Sequence, residues 1–177
     1  MLWPVRLAHP LGDPAATCWQ VDDHVVFPCC LYRDLPQRGP GYGLTLDGGP
    51  QSHLSLQWRD GRLEGLSALA LGGPLRQHHA APYSQVLPEL ADEPLLVLQP
   101  LDGPAPRVQA RAVQQPIKFG VTSYQDAALI WFAPFTPHWQ APAGVGLQLL
   151  LDEQGALAGL LWRGDAAADL RRAAGLS

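Results

Sequence analysis

The chain has 177 residues, 47% of them hydrophobic and 16% charged, and a formal net charge of −4. That is enough apolar material for one substantial core, or two small ones sharing an interface, which excludes a disordered chain. Basic residues scattered over an acidic whole exclude the concentrated field that a nucleic-acid partner needs, and no run reaches the ~20 apolar residues of a membrane-crossing helix. Eighteen glycines and eighteen prolines, dispersed rather than repeated, predict short strands joined by tight turns. Met1 to Arg6 lacks a basic segment followed by a sustained apolar one, so no secretory signal is expected. Three cysteines, Cys18, Cys29 and Cys30, with two of them adjacent, do not read as a disulfide framework, and a reducing cytoplasm fits best.

In chain order, strands are expected at 3–7, 18–21, 25–28, 43–46, 53–58, 63–71 and 95–98. The clearest alternation is His53-Leu54-Ser55-Leu56-Gln57-Trp58, which puts Leu54, Leu56 and Trp58 on one face. Asp47-Gly48-Gly49-Pro50 and Arg59-Asp60-Gly61 read as turns. The Pro- and Gly-punctuated stretch 99–106, too short for a flexible tether, reads as the connection between two subdomains. Beyond it strands are expected at 108–113, 120–124, 128–132, 146–151 and 157–162. Asp165 reads as the N-cap of a helix over 166–174 that Gly175 stops.

Three short patches carry a resemblance. Near the C-terminus, Gly144-Val145-Gly146-Leu147-Gln148-Leu149-Leu150-Leu151-Asp152, with Gly155 and Gly159 following, has the frame of a nucleophile loop that reads G-x-S-G-G-P, two apolar residues, often Asp, a turn glycine and an apolar strand. Earlier, Thr17, Trp19 and Val21, a turn at Asp22-Asp23 and the run from His24 to Leu31 match a first hairpin and histidine loop. Between them, Asp92-Glu93-Pro94-Leu95-Leu96-Val97-Leu98 matches a D-x-A-L-L-x-L strand. Over roughly residues 5–164 the chain thus resembles the trypsin-like serine proteases, in that family's order of base, acid and nucleophile. The resemblance implies an all-β fold: a trypsin-like double β-barrel with a short C-terminal helix. Residues 1–99 would form the N-terminal barrel subdomain, 100–164 the C-terminal one and 165–177 the helix, as one structural domain overall.

It also implies that the chemistry is gone. The base position falls on Cys30, the acid position on Glu93 with Asp92 as the alternative one residue away, and the nucleophile position on Gly146. Gly144 and Gly146 could retain backbone N–H groups like those of an oxyanion hole, although a plain hairpin loop is the preferred reading. A thiol nucleophile at Cys30, tuned by His24 or Glu93, is the rival idea; buried, inert thiols are the preferred account of all three cysteines. His78-His79 with His53 or His138 could hold a metal, but adjacent residues of a strand point to opposite faces, and a solvated loop is the safer reading. Ser123 with His138 and Asp126 is a further nucleophile set, without the glycine flanks of an exposed elbow.

Trp19, Trp58 and Trp162 are expected in the core. The segment 134–142 precedes the nucleophile loop, where proteases of this family build specificity, so Phe135, His138, Trp139 and Gln140 are the expected partner-binding residues. The leading expectation is a bacterial, cytoplasmic pseudoprotease that binds another protein or an extended peptide, with no metal or organic cofactor. A hydrolase with a rearranged or cysteine-based site, and a structural subunit of a larger assembly, are the alternatives.

Overall fold

A computed structural model of the chain describes residues 5–12, 17–21, 29–35, 41–47, 53–69, 76–98, 112–115 and 118–173. The expected strand at 25–28 and the connection at 99–106 lie outside these residues. The described chain is all-β apart from one short C-terminal helix. Its strands in the first half are β1 (Val5–Gly12), β2 (Gln20–Val21), β3 (Cys29–Tyr32), β4 (Gly41–Asp47), β5 (His53–Arg59), β6 (Arg62–Leu69), β7 (Arg76–His78) and β8 (Glu93–Leu98). Then come β9 (Ala112–Gln115), β10 (Phe119–Ser123), β11 (Ala127–Phe132), β12 (Trp139–Pro142), β13 (Leu147–Leu151), β14 (Leu157–Arg163) and the helix α1 (Gly164–Ala173). No described helix is long and apolar enough to cross a membrane.

Local sequence explains most of these elements. In β5 the alternation works as expected, with Leu54, Leu56 and Trp58 buried. The β5–β6 turn has positive φ at both Asp60 (50°) and Gly61 (78°), the twist that suits a two-residue hairpin and that Asp-Gly tolerates. At the β13–β14 turn, Asp152 Oδ1 accepts from the backbone N–H groups of Gln154 (2.9 Å) and Ala156 (2.8 Å), and Gly155 takes φ 76°. The helix starts two residues earlier than expected, at Gly164. Asp165 therefore sits in its first turn rather than capping it, still at the end where a carboxylate opposes the helix dipole.

Two six-stranded sheets result, ordered β2-β3-β6-β5-β4-β9 and β12-β13-β14-β11-β10-β7. Both are antiparallel except at one edge, where β9 runs parallel to β4 and β7 parallel to β10. Each sheet takes this edge strand from the other side of residue 99, so the expected division into 1–99 and 100–164 is crossed twice. Neither β7 nor β12 was expected, because Arg-Gln-His and Trp-Gln-Ala-Pro offer too short a run for alternation to show. The antiparallel pair β1–β8 ties the sheets together: Leu7 N–H donates to Gly155 O (2.9 Å) on one side, and Leu96 N–H to Gly61 O (2.7 Å) on the other.

One contiguous core draws on both sheets, with Leu44, Leu56 and Trp58 from the first and Ile130, Leu149 and Trp162 from the second. Ala166, Ala167 and Leu170 of α1 join it, and the helix touches β2 and β3 as well as β11 and β14. A smaller cluster of Tyr83, Ala127, Leu150 and Leu161 covers the opposite face of the second sheet. Gly159 reports how tightly the central strands pack, since a Cβ there would lie 2.7 Å from Ile130 O. Gly159→Ala is expected to lower stability by about 1–3 kcal/mol through overpacking, read as a lower urea midpoint at unchanged m-value.

Candidate functional site

The first and last sequence patches meet. Thr17 O accepts from Val145 N–H (2.8 Å), Cys18 and Val145 form a parallel bridge, and Trp19 Nε1 donates to Ala143 O (2.9 Å). The loop between β12 and β13 is closed by Ala143 N–H donating to Leu147 O (2.9 Å), with positive φ at Gly144 (86°) and Gly146 (80°). This is the plain hairpin of the preferred reading, and the one N–H between its glycines is already donated to Thr17. Behind Gly146 stands the start of α1: a Cβ on Gly146 would lie 2.9 Å from Ala166 Cβ and 3.1 Å from Arg163 O. Gly146 O accepts from Arg163 N–H (2.8 Å), so the loop is seated against the helix with no cleft for a side chain.

The middle patch reaches the same place through a residue the sequence reading did not single out. Glu93, 0% exposed, forms an ion pair with Arg33 Nη2, and Arg33 is itself 1% exposed. Arg33 Nε donates to Leu63 O (2.7 Å), and the guanidinium lies over the Trp19 ring at 5.4 Å, within cation–π range. Its Nη1 is buried with no hydrogen-bond partner and faces the hairpin: a Cβ on Gly144 would lie 2.7 Å from Nη1 and 2.8 Å from Thr17 O. Arg62 Nη1 supplies a second cation to Glu93 Oε2 at 3.3 Å. The buried acid is thus Glu93, not the half-buried Asp92.

Leu31 and Arg33 are buried while Tyr32 between them is exposed, so alternation turns Cys30 to the face opposite Arg33. Cys18 is an exposed thiol, contrary to the expectation of buried thiols, because Trp19 and Val21 take the inward positions around it; Cys30 is half-buried, and the side chain of Cys29, like all of His24, lies outside the described residues. An arginine remains protonated at any physiological pH and cannot accept a proton, and Gly146 has nothing with which to attack. Neither Arg33 nor Gly146 can serve as base or nucleophile here; the side chains beside them that could are the exposed Cys18 thiol and the Thr17 hydroxyl. The cation could have been sought in the sequence: an acid heading the apolar strand Glu93-Pro94-Leu95-Leu96 needs a buried partner, and Arg33 follows Leu31 at the in-facing interval.

The other candidates disperse. His78 ends β7 rather than lying in a loop, and His79 follows it; both are exposed, and His79 stacks on Tyr124 at 5.3 Å. His53 opens β5 in the other sheet, and among the described residues no group of three or more His, Cys, Asp or Glu is arranged to hold a metal ion. Ser123, on β10, is separated by β11, β14 and β13 from β12, next to which His138 lies, and Asp126 Oδ1 instead accepts from Tyr83 N–H (2.8 Å). Burial raises the phenol pKa of both Tyr83 and Tyr124 above the ordinary 10.0.

Trp19, Trp58 and Trp162 are buried in the core as expected, Trp19 meeting Trp162 edge-on at 6.2 Å. Of the expected partner-binding residues, Phe135 and Trp139 pack against the core and Gln140 lies in β12. Only His138 is well exposed, with its ring on Trp139 at 5.1 Å and Nδ1 3.7 Å from the exposed Glu153 carboxylate, a surface pair that contributes little.

Glu93→Gln, which strands the Arg33 charge in the interior, is expected to cost about 3–5 kcal/mol in urea unfolding. The double change Arg33→Met/Glu93→Leu removes both charges and is expected to cost less than Glu93→Gln alone. Compared with known proteins, the chain matches no family model, and no curated protein is detectably similar to it.

Proposed function

We propose that this chain is a catalytically inactive scaffold of the trypsin-like, double β-barrel kind, and that it works by binding another protein through an extended peptide segment. Two six-stranded sheets, one built mainly from each half of the chain, support the architecture. So does the meeting of the three patches, since Thr17 to Trp19 pairs with Ala143 to Gly146 and Glu93 reaches the same spot through Arg33.

The observation that carries the inactive reading is the buried Arg33–Glu93 pair. It occupies the junction where acid–base chemistry would be needed, and it holds a cation that cannot give up its proton. Binding and chemistry use different groups, so a strand-rich scaffold can keep extended-peptide recognition without a nucleophile. The exposed thiol of Cys18 supports a reducing cytoplasmic setting as part of the same reading.

Three measurements test it. The native protein is expected to take up fluorophosphonate and peptidyl chloromethyl ketone probes no faster than heat-denatured protein. A displayed library of extended peptides is expected to yield binders that are recovered uncleaved. Gly146→Ser is expected to gain no esterase activity and to lose about 1–3 kcal/mol, because a side chain at φ 80° meets Ala166 and the Arg163 carbonyl. Stoichiometric probe labelling, or peptide turnover abolished by changing one thiol or hydroxyl, would overturn the proposal.

A further inference from the structure

We infer that residues 80–92 are an internal stand-in for a ligand: a strap filling a groove on the outer face of the second sheet that takes an extended peptide of a partner protein. This rests on the peptide-binding reading above and assigns it a place. The strap leaves β7 at one edge of the sheet and crosses to the other. On the way Tyr83 is buried against Ala127, Leu150 and Leu161, with Leu87 packed beside them. At the far edge Pro88 to Leu90 lie along β12 as an added strand: Gln140 N–H donates to Pro88 O (2.9 Å), Leu90 N–H donates to Gln140 O (2.8 Å), and Glu89 bridges Gln140 in parallel. Leu90 packs on the main core. Main-chain bonds to a sheet edge, with side chains in apolar sites at intervals, are how strand addition holds a peptide.

The strap fits this groove imperfectly. Gln140 Oε1 of β12 and Gln148 Oε1 of the neighbouring β13 are buried without a hydrogen-bond partner, while Gln148 Nε2 donates to Glu89 Oε1 at 3.3 Å. A carboxylate can accept from Gln148 but has no donor to return. An asparagine or glutamine in its place would do both. The strap is anchored at Tyr83, Leu87 and Leu90, and between these anchors it faces solvent, with Pro82, Ser84, Gln85, Pro88 and Glu89 exposed and Val86 90% exposed. Segments with few buried contacts open before the sheets beneath them do. The partner peptide defined by this groove carries an aromatic residue, a leucine four positions on and a second leucine three further, as Tyr83, Leu87 and Leu90 do, with an amide side chain just before the last.

The test uses two fluorescent synthetic peptides of sequence 80–92, one unaltered and one carrying Glu89→Gln, against the wild-type protein and the variant Tyr83→Ala/Leu87→Ala. The variant, whose internal competitor is weakened, is expected to bind either peptide at least about tenfold more tightly than wild type. The Glu89→Gln peptide is expected to bind both proteins more tightly than the unaltered one. Peptide bound to wild type is expected to speed hydrogen exchange in 80–92 and leave β13 and β14 unchanged. If the variant fails to fold, wild type carrying an engineered protease site at Gln85-Val86 and nicked there replaces it, with the same expectation. Equal affinities in the two proteins, no binding by either at millimolar peptide, or binding that leaves exchange in 80–92 unaltered overturns the assignment. Library peptides that bind elsewhere would sink the groove while leaving the peptide-binding reading intact.

Discussion

A carboxylate with no exposed surface must have a cation close by or give up its charge, and Glu93 has two cations. The consequences spread outward from that requirement. Arg33 comes from beyond the end of β3, accepts its orientation from the Leu63 carbonyl of β6, lies over Trp19 and backs the hairpin at Gly144. One ion pair therefore sets the mutual position of the start of β8, two strands of the first sheet and the loop that opens β13. Such a pair adds little net stability compared with a well-packed apolar replacement, because each ion loses its water. What it fixes is geometry, since a displaced guanidinium here would leave charge in the interior.

The glycines of the hairpin answer the same constraint from the other side. Gly144 leaves room for Arg33 and the Thr17 carbonyl, and Gly146 leaves room for Ala166. Both have backbone conformations that side chains avoid. The loop is thus closed on both sides, by Arg33 and the Thr17 carbonyl at Gly144 and by Ala166 at Gly146.

Much of this was legible in the residues. The alternation of Leu54, Leu56 and Trp58, the Asp-Gly turn at residue 60, and the Asp152 and Gly155 hairpin each announce themselves locally, because a side-chain period of two and a positive φ are properties of short windows. Of the three patches, those around Trp19 and Gly146 meet and Glu93 joins them through Arg33, whereas Cys30, the expected base position, turns to the face opposite Arg33. Less visible was whatever depends on a partner distant in sequence. Arg33 has meaning only beside Glu93, sixty residues on. Arg76 to His78 becomes a strand only because β10 offers an edge, and Cys18 is exposed because its neighbour Trp19 reaches Ala143. Nor could the sequence show that Phe135 and Trp139, expected at an interface, are half-buried and pack on the molecule's own core.

The exchange of edge strands has a bearing on how the molecule is made. The first sheet is not complete until β9 has left the ribosome, and by then β7, already synthesised, is still waiting for β10. Both closures are parallel, and parallel pairing across long stretches of chain is slow to form. Neither half can finish alone during translation. The nascent chain therefore carries two unpaired sheet edges until the last third of its length emerges, the interval in which a chaperone would be most useful to it.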